Sequence, residues 1–404
     1  MSEPLYIGHT RFSLFTPNYE GWRASNGQNL KDAREYQELL FNPERLEPRA
    51  RILLENSLPL LEQAASSRMY KHVISYSSLL PASFKLRLEE AGARYPFVVL
   101  DEREPGADFF NPDEFASRLL PDGGTYGVFR LDDDDLLAVN YFSQMDRFLR
   151  PEFAGMRVSL ASGLVGLMEQ GSVSMVRSVY KPKIAIGLMS VNTLDVSGRL
   201  RSPRICSHDK SDFFDPVILF SAEPSYLWMR HVGQDTNVGS QSYSSTSEPI
   251  RREMEKFDKL STSISLKNLF PAASSLIQPD LFRSGREVLT SGKEYRFNTP
   301  ARSISISFSG LASSPVDANS VLFSFDIANE DGSAVEQDTS LPLVYSPVED
   351  IGWYLYMSDA GMDLNYEKHV QLPEGVICRS VTVYRWNSRS TPIEVIRLEI
   401  KSHS

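Results

Sequence analysis

Hydrophobic and polar positions in the first third of the chain alternate between two periodicities. Short apolar runs that are typical of buried strands alternate with segments whose apolar residues recur at helical spacing. The predicted strands lie within Tyr6–Phe15, Lys71–Tyr76, Pro96–Leu100 and Tyr126–Leu131. The predicted helices are Leu46–Ala65, Pro81–Gly92 and Asn111–Leu120, and one after Asp132–Asp135 with Leu137, Tyr141, Met145 and Phe148 on one face. This order indicates βαβ units and a mainly parallel, doubly wound α/β sheet, which binds ligands beyond the carboxyl ends of its strands.

The pattern changes twice towards the C-terminus. The middle of the chain reads as a strand-rich stretch, a loop, a short apolar strand with an aromatic-rich segment after it, a second loop and a charged helix: Met156–Asn192, Arg201–Asp215, Pro216–His231, Gln234–Pro249 and Arg251–Leu260. Between Lys293 and Lys401 about eight short strands follow, without a helix of any length. This last pattern is typical of a β-sandwich or jelly roll. We therefore predict two domains, 1–259 and 260–404.

Composition narrows the class of protein. A chain of 404 residues exceeds the size at which one core usually stops growing. A net charge of −10 without a basic cluster argues against a nucleic-acid partner. The two cysteines (Cys206 and Cys378), the absence of a secretory-signal pattern and the lack of a spanning apolar run predict a cytoplasmic protein. Peripheral membrane contact stays open, and the oligomeric state is not predicted.

The strongest candidate for chemistry is the acidic run Asp132–Asp135, which follows a predicted buried strand directly. Four adjacent carboxylates repel one another and require a compensating cation. Alternate residues of the run can present two carboxylates to one hard divalent ion and leave positions for water and phosphate oxygens. Such an ion would neutralise the charge that develops on a nucleoside diphosphate leaving group. The run therefore predicts a Mn²⁺ or Mg²⁺ site, and the alternative is a solvated acidic turn that caps the next helix.

The segment from Tyr6 to about Ser240 resembles a bacterial rhamnosyltransferase family within the broader GT-A glycosyltransferases. Four stretches carry the resemblance: TRFSLF, FNPERLEPRARILLENSLPLLEQ, YGVFRLDDDDLL and YLWMRH. The resemblance implies a GT-A, Rossmann-like domain that binds a nucleotide-sugar, and glycosyltransferase activity. The C-terminal β region lies outside it, and the family's name is not used to infer the donor sugar.

The resemblance also implies roles for residues of the acidic run. Asp132 and Asp134 match the two acidic positions of a DxD motif, which face the ribose, the metal and the diphosphate. Asp133 and Asp135 are assigned to donor binding. His231 falls where many GT-A enzymes place a third metal ligand, although an ordinary surface or packed histidine is the alternative. The loop Gln234–Pro249 would then close over the bound donor.

Further residues match the donor-binding region. Thr10 and Arg11, at the end of the first strand, match the part of the family that contacts the nucleobase or ribose. Arg11, Arg130 and Arg230 are candidates for diphosphate contacts, because a guanidinium pairs well with phosphate. For each arginine, an ordinary surface position is the alternative.

An inverting enzyme also needs a base that deprotonates the acceptor hydroxyl. His208 and Asp209, in the predicted loop after the strand-rich stretch, are the catalytic candidates, and Glu223 is a third. For each of the three, a solvated loop residue is the alternative, and none of them needs to act as a base if the enzyme retains configuration.

The sequence thus predicts transfer of a hexose or deoxyhexose from a nucleotide-diphosphate donor to a glycan or glycoconjugate acceptor. Two rival hypotheses stay open: a non-catalytic carbohydrate-binding or assembly protein, and a metal-dependent hydrolase of nucleotide sugars. The first rival would use aromatic residues of the β region, which otherwise belong to its core: Trp353, Tyr354, Tyr356, Tyr384 and Trp386.

Overall fold

The structure is a computed structural model that describes residues 3–17, 33–169, 172–232, 248–254, 256–261, 264–277, 281–289, 292–337, 341–348, 350–387 and 391–403. The predicted loop Gln234–Pro249 lies outside the described residues except for its last two positions. The chain forms two compact units. The first comprises Met1–Leu167, Val176–Asp258 and Ser265–Leu276, and the second comprises Met168–Met175, Lys259–Ile264 and Ile277–Ser404. The predicted division into domains 1–259 and 260–404 stays a prediction.

The helices are short, and the second of them continues into a π-helical segment. In chain order they are α1 (Ala33–Leu40), α2 (Pro43–Arg51), the π-helical segment (Ile52–Ser57), α3 (Leu58–Ala64), α4 (Ala82–Arg94), α5 (Pro112–Leu119), α6 (Tyr141–Met145), α7 (Glu248–Met254), α8 (Leu266–Leu269) and α9 (Ser274–Ile277). Single 3₁₀ turns lie at Pro151–Phe153, His208–Phe213 and Pro271–Ala273.

Strands dominate the rest of the described chain. The strands up to residue 259 are β1 (Leu5–Phe12), β2 (Met69–Ser77), β3 (Val98–Arg103), β4 (Gly124–Arg130), β5 (Leu136–Leu137), β6 (Arg157–Leu160), β7 (Ser162–Glu169), β8 (Ser172–Tyr180), β9 (Met189–Leu194), β10 (Leu200–Arg201), β11 (Val217–Phe220), β12 (Tyr226–Arg230) and β13 (Asp258–Lys259). The later strands are β14 (Leu281–Val288), β15 (Lys293–Ala301), β16 (Ser303–Val316), β17 (Val321–Asn329), β18 (Val344–Ser346), β19 (Gly352–Tyr356), β20 (Gly361–Gln371), β21 (Val376–Arg385) and β22 (Ile393–His403).

The main sheet of the first unit has the strand order β11-β6-β9-β4-β1-β2-β3, with β10 paired to β9. β1 is parallel to β2 and β4, β2 to β3, and β6 to β11, whereas β9 is antiparallel to β4 and β6. The pairing of β1 with β4 sets His9 opposite Arg130, so both strands end at the same edge. The acidic run therefore begins where the carboxyl ends of the parallel strands meet. A smaller sheet has the order β13-β8-β7-β12-β5.

The predicted C-terminal boundary of the helix Pro81–Gly92 is wrong. Helix α4 continues past Gly92 to Arg94, because its buried stripe of Phe84, Leu88 and Ala91 still faces the sheet there. A Cβ on Gly92 would lie 3.3 Å from Leu100 Cδ1, so the glycine lets α4 approach β3 instead of ending the helix.

The single helix predicted after the acidic run is also wrong. Leu136 and Leu137 form β5, which pairs antiparallel with β12 through Tyr226 and Leu227, and α6 begins only at Tyr141. Both leucines are almost fully buried, and the strand pairing satisfies their backbone groups where a helix would not. The helical spacing of the apolar residues was therefore coincidental.

The second unit contains two antiparallel sheets, of order β14-β22-β16-β20 and β15-β21-β17-β19-β18. Alternate residues of β16 and β17, such as Ile304, Ile306, Phe323 and Phe325, are buried in one core cluster. Trp353 lies in that core, while Tyr354, Tyr356, Tyr384 and Trp386 are half-buried. The predicted fold class, an α/β unit followed by an all-β sandwich, is confirmed. No helix among the described residues is both long and apolar enough to cross a membrane.

Candidate active site

A buried hydrogen-bond chain joins the carboxyl ends of β1 and β4 and begins at Thr10. The Thr10 hydroxyl donates to the carbonyl oxygen of Leu131 at 2.7 Å and lies 2.8 Å from Nε2 of His72. Because a carbonyl oxygen only accepts, Nε2 of His72 donates to Thr10, and Nδ1 accepts from the Tyr70 hydroxyl at 2.6 Å. Burial lowers the pKa of His72 to about 3, which agrees with a neutral ring. Thr10 is fully buried, so its side chain faces the interior and fixes the residue that precedes the acidic run.

Asp132, the first residue of the acidic run, lies at the rim of the site. Nη2 of Arg130 donates to its Oδ2 at 2.8 Å, and the two side chains are 41% and 36% exposed. The backbone N–H of Asp135 donates to the Asp132 carbonyl oxygen at 3.2 Å and closes a turn. That turn directs the side chains of Asp133, Asp134 and Asp135 inward, where all three are buried.

Asp133 and Asp134 share a buried guanidinium. Arg49, on α2, directs Nη1 to Oδ1 of Asp133 and Nη2 to Oδ2 of Asp134, the latter at 3.1 Å. Only 5% of Arg49 is exposed. Because an unpaired buried charge costs several kcal/mol, this cation and its two carboxylates form a fixed part of the site. Arg49 is not among the site residues predicted from the sequence. The available signal was a charged residue on a helical face otherwise lined by apolar residues, next to the buried Ala50.

Asp134 also meets His231, which lies 97 positions later in the chain. Nε2 of His231 donates to Oδ2 of Asp134 at 3.0 Å, at the end of β12. Burial by itself would raise the pKa of Asp134, but Arg49 and the hydrogen bond from His231 outweigh it and lower that pKa. The carboxylate therefore stays ionised, as a metal ligand must be.

Asp135 links the acidic run to β12 from the other side. Its Oδ1 accepts the backbone N–H of Met229 at 3.0 Å, and the residue is buried. Burial and the neighbouring charges of Asp134 and Asp132 raise the pKa of Asp135 well above its usual value. The surroundings therefore lower the pKa of Asp134 and raise that of Asp135. Asp135 anchors the backbone of β12 through the N–H of Met229.

A second polar chain crosses the ends of β1, β2 and β3. Ser75 donates to Oδ2 of Asp101 at 2.5 Å and accepts from Nε2 of His9 at 2.9 Å. Arg103 Nε also donates to Oδ2 of Asp101, at 2.8 Å. Burial, followed by the charges of nearby arginines including Arg11, lowers the pKa of His9 to about 3. The sheet edge thus carries a neutral imidazole and a carboxylate beside the half-buried Arg11.

Arg230, a diphosphate candidate, is already engaged with a carboxylate. Its two terminal nitrogens contact the two carboxylate oxygens of Glu253 at 3.0 and 3.1 Å. Its guanidinium also lies 4.6 Å from the centre of the Trp228 ring, which Lys181 Nζ approaches to 4.1 Å. Arg230 directly precedes His231 in the sequence, but its guanidinium is held in a bidentate ion pair with Glu253.

The proposed base residues lie in a separate group of contacts. Nδ1 of His208 donates to the carbonyl oxygen of Lys183 at 2.8 Å, and Lys183 Nζ donates to the Asp209 carbonyl oxygen at 2.6 Å. Asp209 is exposed and accepts from Ser207, and this hydrogen bond lowers its pKa. Glu223 accepts from an asparagine side chain at the surface. No described contact joins His208, Asp209 or Glu223 to the acidic run.

Two of the three predicted metal ligands are brought together. Asp134 and His231 are adjacent, whereas Asp132 is held by Arg130. Within the described ranges, no group of three His, Cys, Asp or Glu side chains is placed to hold a metal ion. A carboxylate and an imidazole are ligand types that divalent ions accept, and Mg²⁺ usually keeps several ligands from water and phosphate oxygens.

Comparison with known protein families confirms the predicted class, a glycosyltransferase. The family model described as "Putative rhamnosyl transferase" matches residues 6–199, just under half of the chain. No curated protein sequence matches the chain.

Solved structures give weaker similarities. TarS 1-349 from S. aureus is 9% identical, with 67% of this chain and 72% of that chain covered and a TM-score of 0.26. A nucleotide-diphospho-sugar transferase from Desulfovibrio desulfuricans is 13% identical, with 64% and 99% covered and a TM-score of 0.24. The inositol-1-phosphate CTP transferase from T. maritima is 7% identical, with 64% and 100% covered and a TM-score of 0.25. The description of fold and site therefore rests on the chain's own strands and contacts.

Proposed function

We propose that the protein transfers a hexose or deoxyhexose from a nucleotide-diphosphate donor to a glycan or glycoconjugate acceptor. The observation that supports this most directly is the contact between Asp134 and His231. It joins the acidic end of β4 to the end of β12 at the ligand-binding edge of the sheet. Cell-surface polysaccharide or glycoconjugate synthesis is the pathway class we favour, and a cytoplasmic location stays a prediction.

Asp134 and His231 would hold a divalent ion, Mn²⁺ or Mg²⁺, with Asp132 close by. When bound, the ion supplies positive charge to the diphosphate as the sugar leaves. Arg49 keeps Asp134 ionised and directed towards His231. Arg130, partly exposed beside Asp132, is the arginine best placed to turn towards a phosphate oxygen, because its partner lies at the rim.

His208 is the residue we propose as the base for the acceptor hydroxyl. Because the Lys183 carbonyl oxygen can only accept, Nδ1 of His208 carries the proton in this contact. In the neutral ring, Nε2 then keeps its lone pair, and this is the atom that would take the acceptor proton. Asp209 is exposed beside it and would assist by its negative charge.

Ligand-induced thermal stabilisation tests the donor and the metal site together. The melting temperature of the full chain is measured with UDP, GDP, CDP and dTDP, each with and without Mn²⁺, for wild type and Asp134→Asn. A ligand that binds only the native state stabilises it, by about 2.7 kcal/mol at a ligand concentration of a hundred times the Kd, and so raises the melting temperature. We expect one nucleotide to stabilise the wild type in a Mn²⁺-dependent way and to have no effect on Asp134→Asn.

Asp122→Asn is the matched control, because Asp122 is exposed in the turn before β4. It should respond to the nucleotide as the wild type does. The absence of a shift with any nucleotide would reject the transferase proposal. Release of free sugar from the matching nucleotide-sugar without an acceptor, at the rate seen with one, would favour a hydrolase instead.

A further inference from the structure

Arg49 makes contacts that only an arginine can make. Its two terminal nitrogens each reach a different carboxylate, Nη1 that of Asp133 and Nη2 that of Asp134. A guanidinium presents these nitrogens at a fixed separation, whereas a lysine presents one flexible point charge. The side chain therefore fixes the spacing of two consecutive carboxylates as well as neutralising them.

The contact with Asp134 falls on the oxygen that also meets His231. Oδ2 of Asp134 lies 3.1 Å from Nη2 of Arg49 and 3.0 Å from Nε2 of His231. Three separate parts of the chain meet at this oxygen: helix α2, the turn after β4 and the end of β12. Through Arg49, helix α2 therefore contacts the Asp134 carboxylate directly.

Helix α2 is itself held firmly, so Arg49 is a rigid support. Asn42 caps the helix by accepting the N–H of Glu44 at 2.9 Å, and Leu46 and Ala50 are buried on either side of Arg49. One turn earlier, Arg45 donates to the Ser13 hydroxyl at 2.9 Å, just beyond β1. The helix therefore places two arginines on the face that meets the sheet edge.

We propose that Arg49 is a positioning residue that builds the Asp134–His231 pair before any ligand binds. It holds both carboxylates of Asp133 and Asp134 in place, so that donor and ion meet a preformed site. Without it the two carboxylates repel each other, and Asp134 no longer keeps its place against His231. This inference rests on the proposed function, because donor binding is the property it explains.

Arg49→Lys is the decisive variant, since it keeps the buried charge and removes the two-nitrogen fork. Binding of Mn²⁺ with the nucleoside diphosphate that stabilises the wild type is measured by calorimetry at a temperature where the variant is folded. We expect Kd to rise at least about tenfold, which corresponds to about 1.4 kcal/mol. Arg87→Lys is the matched control, because Arg87 pairs with Glu47 outside the site, and its Kd should be that of the wild type.

A role in folding alone predicts a different result. If Arg49 only stabilised the fold, folded Arg49→Lys would bind the ion and nucleotide as the wild type does, and that outcome would overturn the proposal. Arg49→Met/Asp133→Asn removes one ion pair completely and leaves the Asp134 carboxylate without Arg49, so at a temperature where it is folded it should also bind weakly. If the wild type binds no nucleoside diphosphate, the proposed function fails, whereas wild-type binding by folded Arg49→Lys rejects the role of Arg49 alone.

Discussion

Replacement of Thr10 by valine should destabilise the first unit measurably, although the two side chains have the same shape. The change removes the hydroxyl that donates to the Leu131 carbonyl oxygen at 2.7 Å and accepts from Nε2 of His72 at 2.8 Å. Both partners would then be left unsatisfied in a fully buried place. Each such group costs about 1–3 kcal/mol, so the expected loss is at least about 2 kcal/mol, and about 3 kcal/mol is the working value.

Differential scanning calorimetry of the full chain measures this loss. For a unit of this size, about 3 kcal/mol corresponds to a fall in melting temperature of about 6–12 °C. Thr10→Ser keeps the hydroxyl and should recover most of the stability, and Thr193→Val, at a half-buried position on β9, should change it little. A melting temperature of Thr10→Val within about 2 °C of the wild type would refute the hydrogen-bond chain inferred here.

Three further results are expected. Burial lowers the folded pKa of His9 and His72 from 6.5 to about 3, so the unfolded chain takes up protons first. The stability that the two neutral histidines contribute should be complete above pH 6.5. It should fall between pH 6.5 and about 3, by up to about 1.4 kcal/mol per pH unit for each histidine. In urea unfolding, His9→Gln should therefore show half of the total slope that the two histidines give the wild type. Gly8→Ala should cost about 1–3 kcal/mol in urea unfolding, because its Cβ would lie 2.4 Å from Nδ1 of His72. His208→Gln should lower kcat at least about a hundredfold and leave the Kd of the nucleoside diphosphate unchanged, and a kcat near that of the wild type would exclude His208 as the base.

The alternation of strands and helices in the first unit could be predicted because each element carries its own pattern. β1 and β2 are continuous buried runs, and α5 begins with an asparagine cap. The helix expected at Leu137 failed for the opposite reason. A two-residue strand has no period of its own, and it forms only because β12, about ninety residues later in the chain, supplies the pairing.

The site was predictable where the sequence itself is unusual. Four consecutive aspartates mark the end of β4, and the family resemblance pointed to His231. Arg49 could not be selected in the same way, because nothing in the local sequence shows that this arginine is buried while its neighbours Arg45 and Arg51 are less so. The interior role of Thr10 also depends on a contact with Leu131, 121 positions away, which no local pattern encodes.

The second unit consists of three separate segments of the chain, and this limits how that unit can be separated or exchanged. Met168–Met175 belongs to the second unit although some hundred residues of the first unit follow it. Within the second unit, the buried Lys401 donates to the carbonyl oxygen of Val173 at 2.8 Å. A fragment that starts at residue 260 would lose this acceptor. Recombination at a single point would therefore separate segments of the same unit, so we expect Met168–Met175 and the C-terminal strands to be inherited together.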